Sequence, residues 1–256
     1  VDQDTVADML GLEVQATRLK IGFPAPEVLA ATDPEPARAF AQRMHETGLN
    51  VTLFDGKELA ALPWPELVSS FDFGEEGLSA HIGGAAVTVA WDTPVTAVYW
   101  KPPPDFSSPQ VPTGALRALS GPDLTEAIQF QAGVDVFYSE MGAVRRLSFV
   151  RGVTDFGGLG ELGGGSPTEQ LEVMLAEIDR RFDLPTVDTR LENVRPRRRF
   201  AMGDDSFDMD MRKLFSYGTL LLRQALMAVS PELGNLTQYE LGCRVAYVLN
   251  RPRQLP

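Results

Sequence analysis

Val134-Asp135-Val136-Phe137-Tyr138-Ser139-Glu140-Met141-Gly142-Ala143-Val144-Arg145-Arg146-Leu147-Ser148-Phe149-Val150 carries the fold decision. Val134, Val136 and Tyr138 alternate up to a turn at Glu140-Met141-Gly142, and Val144, Leu147, Phe149 and Val150 follow on the far side. Alternation on both sides of a glycine turn predicts an antiparallel hairpin. Upstream, Val87-Thr88-Val89-Ala90-Trp91 and Val95-Thr96-Ala97-Val98-Tyr99-Trp100 are two more β-rich runs, separated by a turn at Asp92-Thr93-Pro94. The stretch from Leu78 to Phe156 is thus read as mainly antiparallel sheet. Lys101 to Pro112 holds five prolines, which cannot join a sheet interior, and reads as an extended surface loop.

Downstream, Ser166-Pro167-Thr168-Glu169 supplies an N-cap serine, a proline at the first helical position and a glutamate that closes a capping box. Leu171, Met174, Leu175, Ile178 and Phe182 follow at helical spacing, with Glu172, Glu177 and Arg180 on or near solvent. An amphipathic helix over 167–182 is therefore expected to cover the sheet. An array of strands closed by one helix resembles the layout of pleckstrin-homology-like domains.

Residues 4 to 55 read as helix, helix, strand, helix, strand. Val28-Leu29-Ala30 forms the first strand. Asp33 caps a helix opened by Pro34, with Ala37, Phe40, Ala41 and Met44 on one face and Gly48 at its end, and Val51 to Phe54 forms the second strand before Asp55-Gly56. This order, with Leu10-Gly11-Leu12 and Ala37 to Leu53, resembles the small α+β domain of the ribosomal stalk protein L7/L12. Thr32-Asp33, Gly48 to Val51 and Asp55-Gly56 are also similar to the opening of a response-regulator receiver, which implies a phosphate-accepting aspartate; Asp72 is the candidate.

The C-terminal part reads as a helical pair. Phe207, Met211, Leu214, Phe215, Leu222, Ala225, Leu226 and Val229 trace one face as far as Ser230-Pro231. A second helix opens at Thr237 with Glu240 as its capping-box partner and a Leu236/Leu241 staple, and ends at Asn250 and Pro252. The reading is an α+β protein in three parts: a small αβ domain over 1–62, a mainly β domain over 63–200, and a helical pair over 201–256 packed on the rest.

Chemistry is harder to read, and the sequence does not say what the protein does. Its two histidines, His45 and His81, and its single cysteine, Cys243, have no catalytic or metal-ligand spacing. His45 suits the C-terminal end of a helix, and Cys243 suits a buried position in one. Gly158-Leu159-Gly160-Glu161-Leu162-Gly163 satisfies G-x-G-x-x-G, so Gly158, Gly160 and Gly163 are candidates for holding a phosphate at a helix N-terminus. Against that, Glu161 sets a carboxylate beside the phosphates, and Gly164, Gly165 and Ser166 intervene before the helix. Asp204-Asp205-Ser206-Phe207-Asp208 resembles the aspartate-rich motif of prenyl-diphosphate enzymes, which makes Asp204, Asp205 and Asp208 candidate magnesium ligands. Acids at a helix N-terminus explain the same run.

Arg195-Pro196-Arg197-Arg198-Arg199 is the only dense basic run, and Arg145-Arg146 and Arg180-Arg181 read as exposed faces. Trp64, Trp91 and Trp100 read as core or hairpin anchors. With 35 acidic and 23 basic residues the formal charge is −12, which opposes nucleic acid and anionic membrane as main partners. One cysteine forms no internal disulfide, no run of about 18 apolar residues occurs, and the start at Val1-Asp2-Gln3-Asp4 lacks the pattern of a secretion signal, so a cytoplasmic location is expected.

Good fold signals beside poor site signals point to a non-catalytic interaction or regulatory protein of the bacterial cytoplasm with a protein partner and no cofactor. It is expected to bind through a sheet face or the segment around Tyr99, Trp100 and Pro103, with Arg197 and Arg198 as further contacts. The alternative is a nucleotide- or phosphate-binding protein, catalytic or not, that uses the glycine-rich segment 157–165.

Overall fold

A computed structural model describes residues 7, 34–48, 51–102, 113–192 and 236–251. The chain divides into two compact units, 1–61 with 199–236 and 62–198 with 237–256. The second boundary differs from the expected one: the last helix joins the sheet unit. The fold is α+β, and among the described residues no helix is long and apolar enough to cross a membrane.

In the first unit, α1 spans Pro34–Glu46 with Ala41 and Met44 buried. It stops at Gly48, whose φ of +84° is open to glycine, and the Thr47 and Gly48 amides donate to the Met44 and His45 carbonyls. Helix α2 spans Gly56–Ala61 and starts on Asp55, whose carboxylate accepts from the Lys57 amide. The expected strand at Val51 to Phe54 is not found among the described residues, and Leu53 there is exposed. Val28 to Ala30 lie outside them.

The second unit contains β1 (Glu66–Leu67), β2 (Ser70–Phe73), β3 (Gly77–Ile82), β4 (Ala85–Ala90) and β5 (Val95–Lys101), followed by the short helices α3 (Thr113–Arg117) and α4 (Gly121–Ile128). Next come β6 (Gly133–Glu140), β7 (Ala143–Val150), a 3₁₀ segment at Gly157–Gly163, α5 (Pro167–Arg181), β8 (Pro185–Glu192) and α6 (Gln238–Asn250). A five-stranded sheet runs β1-β7-β6-β5-β8, and a three-stranded sheet runs β2-β3-β4.

The hairpin expected at 134–150 is β6–β7, in register from Gly133↔Val150 to Glu140↔Ala143. Its two loop residues, Met141 (φ +50°) and Gly142 (φ +82°), both take the left-handed conformation that lets a two-residue loop follow the strand twist. The two β-rich runs at 87–91 and 95–100, in contrast, do not pair with each other. Asp92-Thr93-Pro94 carries the chain from one sheet to the other, so that β4 pairs with β3 and β5 with β6 and β8.

The large sheet has two buried faces. On one, Val95, Ala97, Tyr99, Val134, Val136, Tyr138, Leu147 and Phe149 join Leu171, Met174, Ile178 and Phe182 of α5 and Phe71, Leu78, Ala80 and Val89 of the small sheet in a single apolar core. The Ser166 capping box is formed, with the serine hydroxyl accepting from the Glu169 amide and Glu169 accepting from the Ser166 amide. Glu177, expected near solvent, is instead only 8% exposed and ion-paired with Arg180 and Arg181, which hold its carboxyl down at about 2. The opposite face of the sheet receives α6.

Gly133 sits beneath Trp100 on that second face. A Cβ there would lie 2.3 Å from the indole ring and 2.7 Å from the Phe149 carbonyl. Gly133→Ala therefore overpacks the Trp100 ring against β6 and is expected to cost about 1–3 kcal/mol, read as a lower urea midpoint at unchanged slope.

Candidate functional site

Among the described residues, the densest group of ionisable side chains lies under α6 and is set by the hairpin register. Because Glu140 faces Ala143, Asp135 falls opposite Ser148 and Phe137 opposite Arg146. Directly opposed residues share a face, so Asp135, Phe137, Arg146 and Ser148 all point to the same side of the sheet. Helix α6 brings Tyr239, Glu240, Cys243, Arg244 and Tyr247 onto that face, at spacings that repeat with the helical turn. Its N-cap Thr237 accepts from the Glu240 amide at 3.1 Å. The Glu240 carboxylate, expected to close a capping box, turns into the interior instead.

Arg146 has no exposed side-chain surface. Its Nη2 donates to Asp135 Oδ2 at 2.6 Å and its Nη1 to Glu240 Oε1 at 2.7 Å, while the guanidinium lies 5.0 Å from the Phe137 ring centre. Arg244 Nε donates to the same Glu240 oxygen at 2.6 Å, and its guanidinium stands 4.8 Å from the Trp64 ring centre. The Tyr239 hydroxyl donates to Asp135 Oδ2 at 2.8 Å. Ring contacts flank the group: Trp100 meets Tyr239 at 4.7 Å, and Phe137 stacks on Tyr247 at 4.6 Å.

Two carboxylates and two guanidinium groups make the cluster electrically balanced. Burial works against the Arg146 cation, yet the adjacent Asp135 and Glu240 outweigh it and keep it charged. Burial, reinforced by Asp135, drives the Tyr239 hydroxyl and the Cys243 thiol well above their ordinary ranges, so both stay protonated. A protonated, enclosed thiol is a poor nucleophile. Asp135 Oδ1, Arg146 Nε and Glu240 Oε2 have no hydrogen-bond partner among the described residues. The arrangement fastens a helix to a sheet: Arg146 bonds Asp135 of the strand and Glu240 of the helix at once, so removing its charge leaves two buried carboxylates short of a partner.

The other ion pairs are more exposed. Arg145 grips Glu66 through Nε and Nη2 and also meets Glu140, which ties β1 to β7. Arg181 lies over Phe73 and Trp91, at 5.0 and 5.8 Å from their ring centres, while Glu177 holds it from the helix side. Asp188 on β8 accepts from Arg190 and from Asn250 at the end of α6. Among the described residues no group of three His, Cys, Asp or Glu side chains could hold a metal ion.

The glycine motif occupies a 3₁₀ segment between β7 and α5. A Cβ on Gly158 would lie 1.9 Å from the Phe71 carbonyl, so this glycine lets the segment lie directly on β2. Gly160 bends the segment at φ +57°, ψ −132°, a conformation open to glycine. Gly163 approaches the Leu159 side chain, and its carbonyl accepts from Gln170. Ser166 and Glu169 already occupy the start of α5, and Glu169 adds a negative charge where a phosphate would sit.

Tyr99 and Trp100, read from the sequence as partner contacts, are instead buried on β5 at 3% exposure each, because that strand is central and both sheet faces are covered. Pro103, Arg197, Arg198, Asp204, Asp205 and Asp208 lie outside the described residues. Asp72 and His81 are exposed on the small sheet, and His45 is exposed near the end of α1. Cys243 is buried, as its helical context suggests. Arg146 is the principal miss: beside Arg145 it reads as part of an exposed pair, and only the strand period separates them onto opposite faces.

Tyr239→Phe removes one donor to Asp135 without changing shape and is expected to cost about 1–3 kcal/mol by urea unfolding. The chain matches no protein-family model, no curated protein and no solved structure.

Proposed function

We propose that the chain is a non-catalytic interaction or regulatory protein of the bacterial cytoplasm that engages a protein partner through the exposed side of its three-stranded sheet. The observation that carries this reading is the contrast between the two sheets. The α6-covered face of the large sheet encloses a charge-balanced cluster, where Arg146, Asp135 and Glu240 have no exposed side-chain surface for a substrate to reach. The small sheet uses one face for the core and presents Asp72, His81, Ala86, Thr88 and Ala90 outward. The formal charge of −12 favours a protein partner over nucleic acid or anionic lipid. A single cysteine, buried and protonated, suits a reducing compartment.

A thermal-shift screen against NAD(P), ATP, GTP, cyclic dinucleotides and inorganic diphosphate, with and without magnesium, separates this reading from a nucleotide-binding one. A ligand present at 100 times its dissociation constant contributes about 2.7 kcal/mol, or roughly 5–10 °C for a domain of this size. The expected result is no shift. A shift of that size for one compound, lost in Gly160→Asp with the fold intact, overturns the proposal and places function in the glycine-rich segment.

A further inference from the structure

Sheet edges carry unpaired backbone donors and acceptors, and the described residues cover three of the four edges or make them unsuitable for pairing. Strand β1 has only two residues. Strand β8 begins with Pro185 and carries the Asp188–Arg190 ion pair. The β2 edge is closed: the Asp155 amide donates to the Ser69 carbonyl at 2.8 Å, Ser70 bridges to Asp155, and Gly158 lies against the Phe71 carbonyl. Strand β4 is different. Ala85-Ala86-Val87-Thr88-Val89-Ala90 has no charge, no proline and no bulge in its register with β3, and Ala85, Ala86, Thr88 and Ala90 are exposed. Long uncharged edges of this kind are templates for strand addition.

The direction of each backbone group on β4 follows from two hydrogen bonds. The Gly74 amide donates to the Gly77 carbonyl, so Gly77 turns its polar groups toward β2, and the Trp91 amide donates to the Glu76 carbonyl across the β3–β4 pair. Hydrogen-bonded pairs alternate along an antiparallel ladder. In the observed register, Val89 with Leu78, Val87 with Ala80 and Ala85 with Ile82 are therefore bonded within the sheet. Ala86, Thr88 and Ala90 point their amides and carbonyls away from β3.

We infer that β4 pairs antiparallel with β4 of a second copy of this chain, centred on Thr88, to form one continuous six-stranded sheet. This goes beyond the face-binding reading proposed above, because it uses the β4 edge of the same sheet. The strand is complementary to itself. With Thr88 opposite Thr88 of the second copy, Ala86 falls opposite Ala90, so every outward-pointing group meets another. Val87, half-buried in one copy, then lies opposite Val89 on the same face, and the core faces of the two sheets become continuous. The register also brings no like charges together, since Asp92 falls opposite Gly84. That matters for self-association of a chain at −12, because the remaining repulsion is long-range and is screened by salt.

The test is sedimentation or light scattering of the full chain at about 100 μM in about 0.15 M salt, for the unaltered protein, Thr88→Pro and Ala86→Lys. Proline at 88 deletes an outward amide and leaves the β3 ladder intact, as expected of proline on an edge strand. Lysine at 86 places a charge opposite Ala90 of the second copy. The expected result is a dimer for the unaltered chain and a dissociation constant raised at least about tenfold in both variants, with unchanged circular dichroism. Should Thr88→Pro perturb the fold, Ala86→Lys decides. A monomeric unaltered chain overturns self-pairing, and so does a dimer that both folded variants retain. In either case a flat nucleotide screen still supports the interaction reading, with the edge left to an extended segment of another protein.

Discussion

The placement of Arg146 constrains much of the sheet unit. A guanidinium with no exposed surface needs partners wherever it is buried, and it finds Asp135 on the neighbouring strand and Glu240 on a helix 94 positions away in sequence. Desolvating four charges is costly, so this cluster is weak evidence of extra stability; what it supplies is a charged link from α6 to β6 and β7. Sliding the helix by one turn would separate Glu240 from Arg146 and leave each with one charged partner in place of two, Asp135 for Arg146 and Arg244 for Glu240. The aromatic contacts of Trp100 with Tyr239 and of Phe137 with Tyr247 add apolar burial on either side of the ionic centre.

This constraint divides the labour between the two faces of the large sheet. One face is apolar and buried by α5 and the small sheet, which supplies most of the hydrophobic drive. The other is polar and selective, and it recruits the C-terminal helix into a unit from which it is separated in sequence. With both faces committed, neither is free for a partner. The small sheet, with its open edge at β4, is the part of the described unit whose backbone chemistry is still available, and this links the fold to the proposed role.

Legibility in the sequence followed the range of each interaction. The β6–β7 hairpin was readable because its turn and alternation are local, and the α5 cap was readable because serine, proline and glutamate sit within four residues. Strand pairing was not: Val87 to Trp91 and Val95 to Trp100 look like the two arms of a hairpin, yet they belong to different sheets, because pairing depends on partners far along the chain. The helices at Thr113–Arg117 and Gly121–Ile128 and strand β8 leave little local signal, the helices being short and the strand carrying charged residues without clean alternation. Arg146 is hard to place from sequence for a related reason. Charge next to charge suggests an exposed patch, whereas strand geometry sends Arg145 to Glu66 and Arg146 into the interior. Strand period applied to Asp135 and Arg146, with the two-residue turn setting register, would have placed both on one face.

The most direct test of this account is native-state amide hydrogen exchange across α6 in the unaltered chain and in Arg146→Met. Losing the buried cation leaves Asp135 and Glu240 facing each other without it, a deficit of about 3–5 kcal/mol that is relieved if the helix lifts and carries Glu240 to water. The account predicts that amides from Glu240 to Tyr247 lose most of their protection while those of β6 and β7 retain more of theirs. Unchanged protection along α6 would contradict it and show that apolar packing alone holds the helix in place.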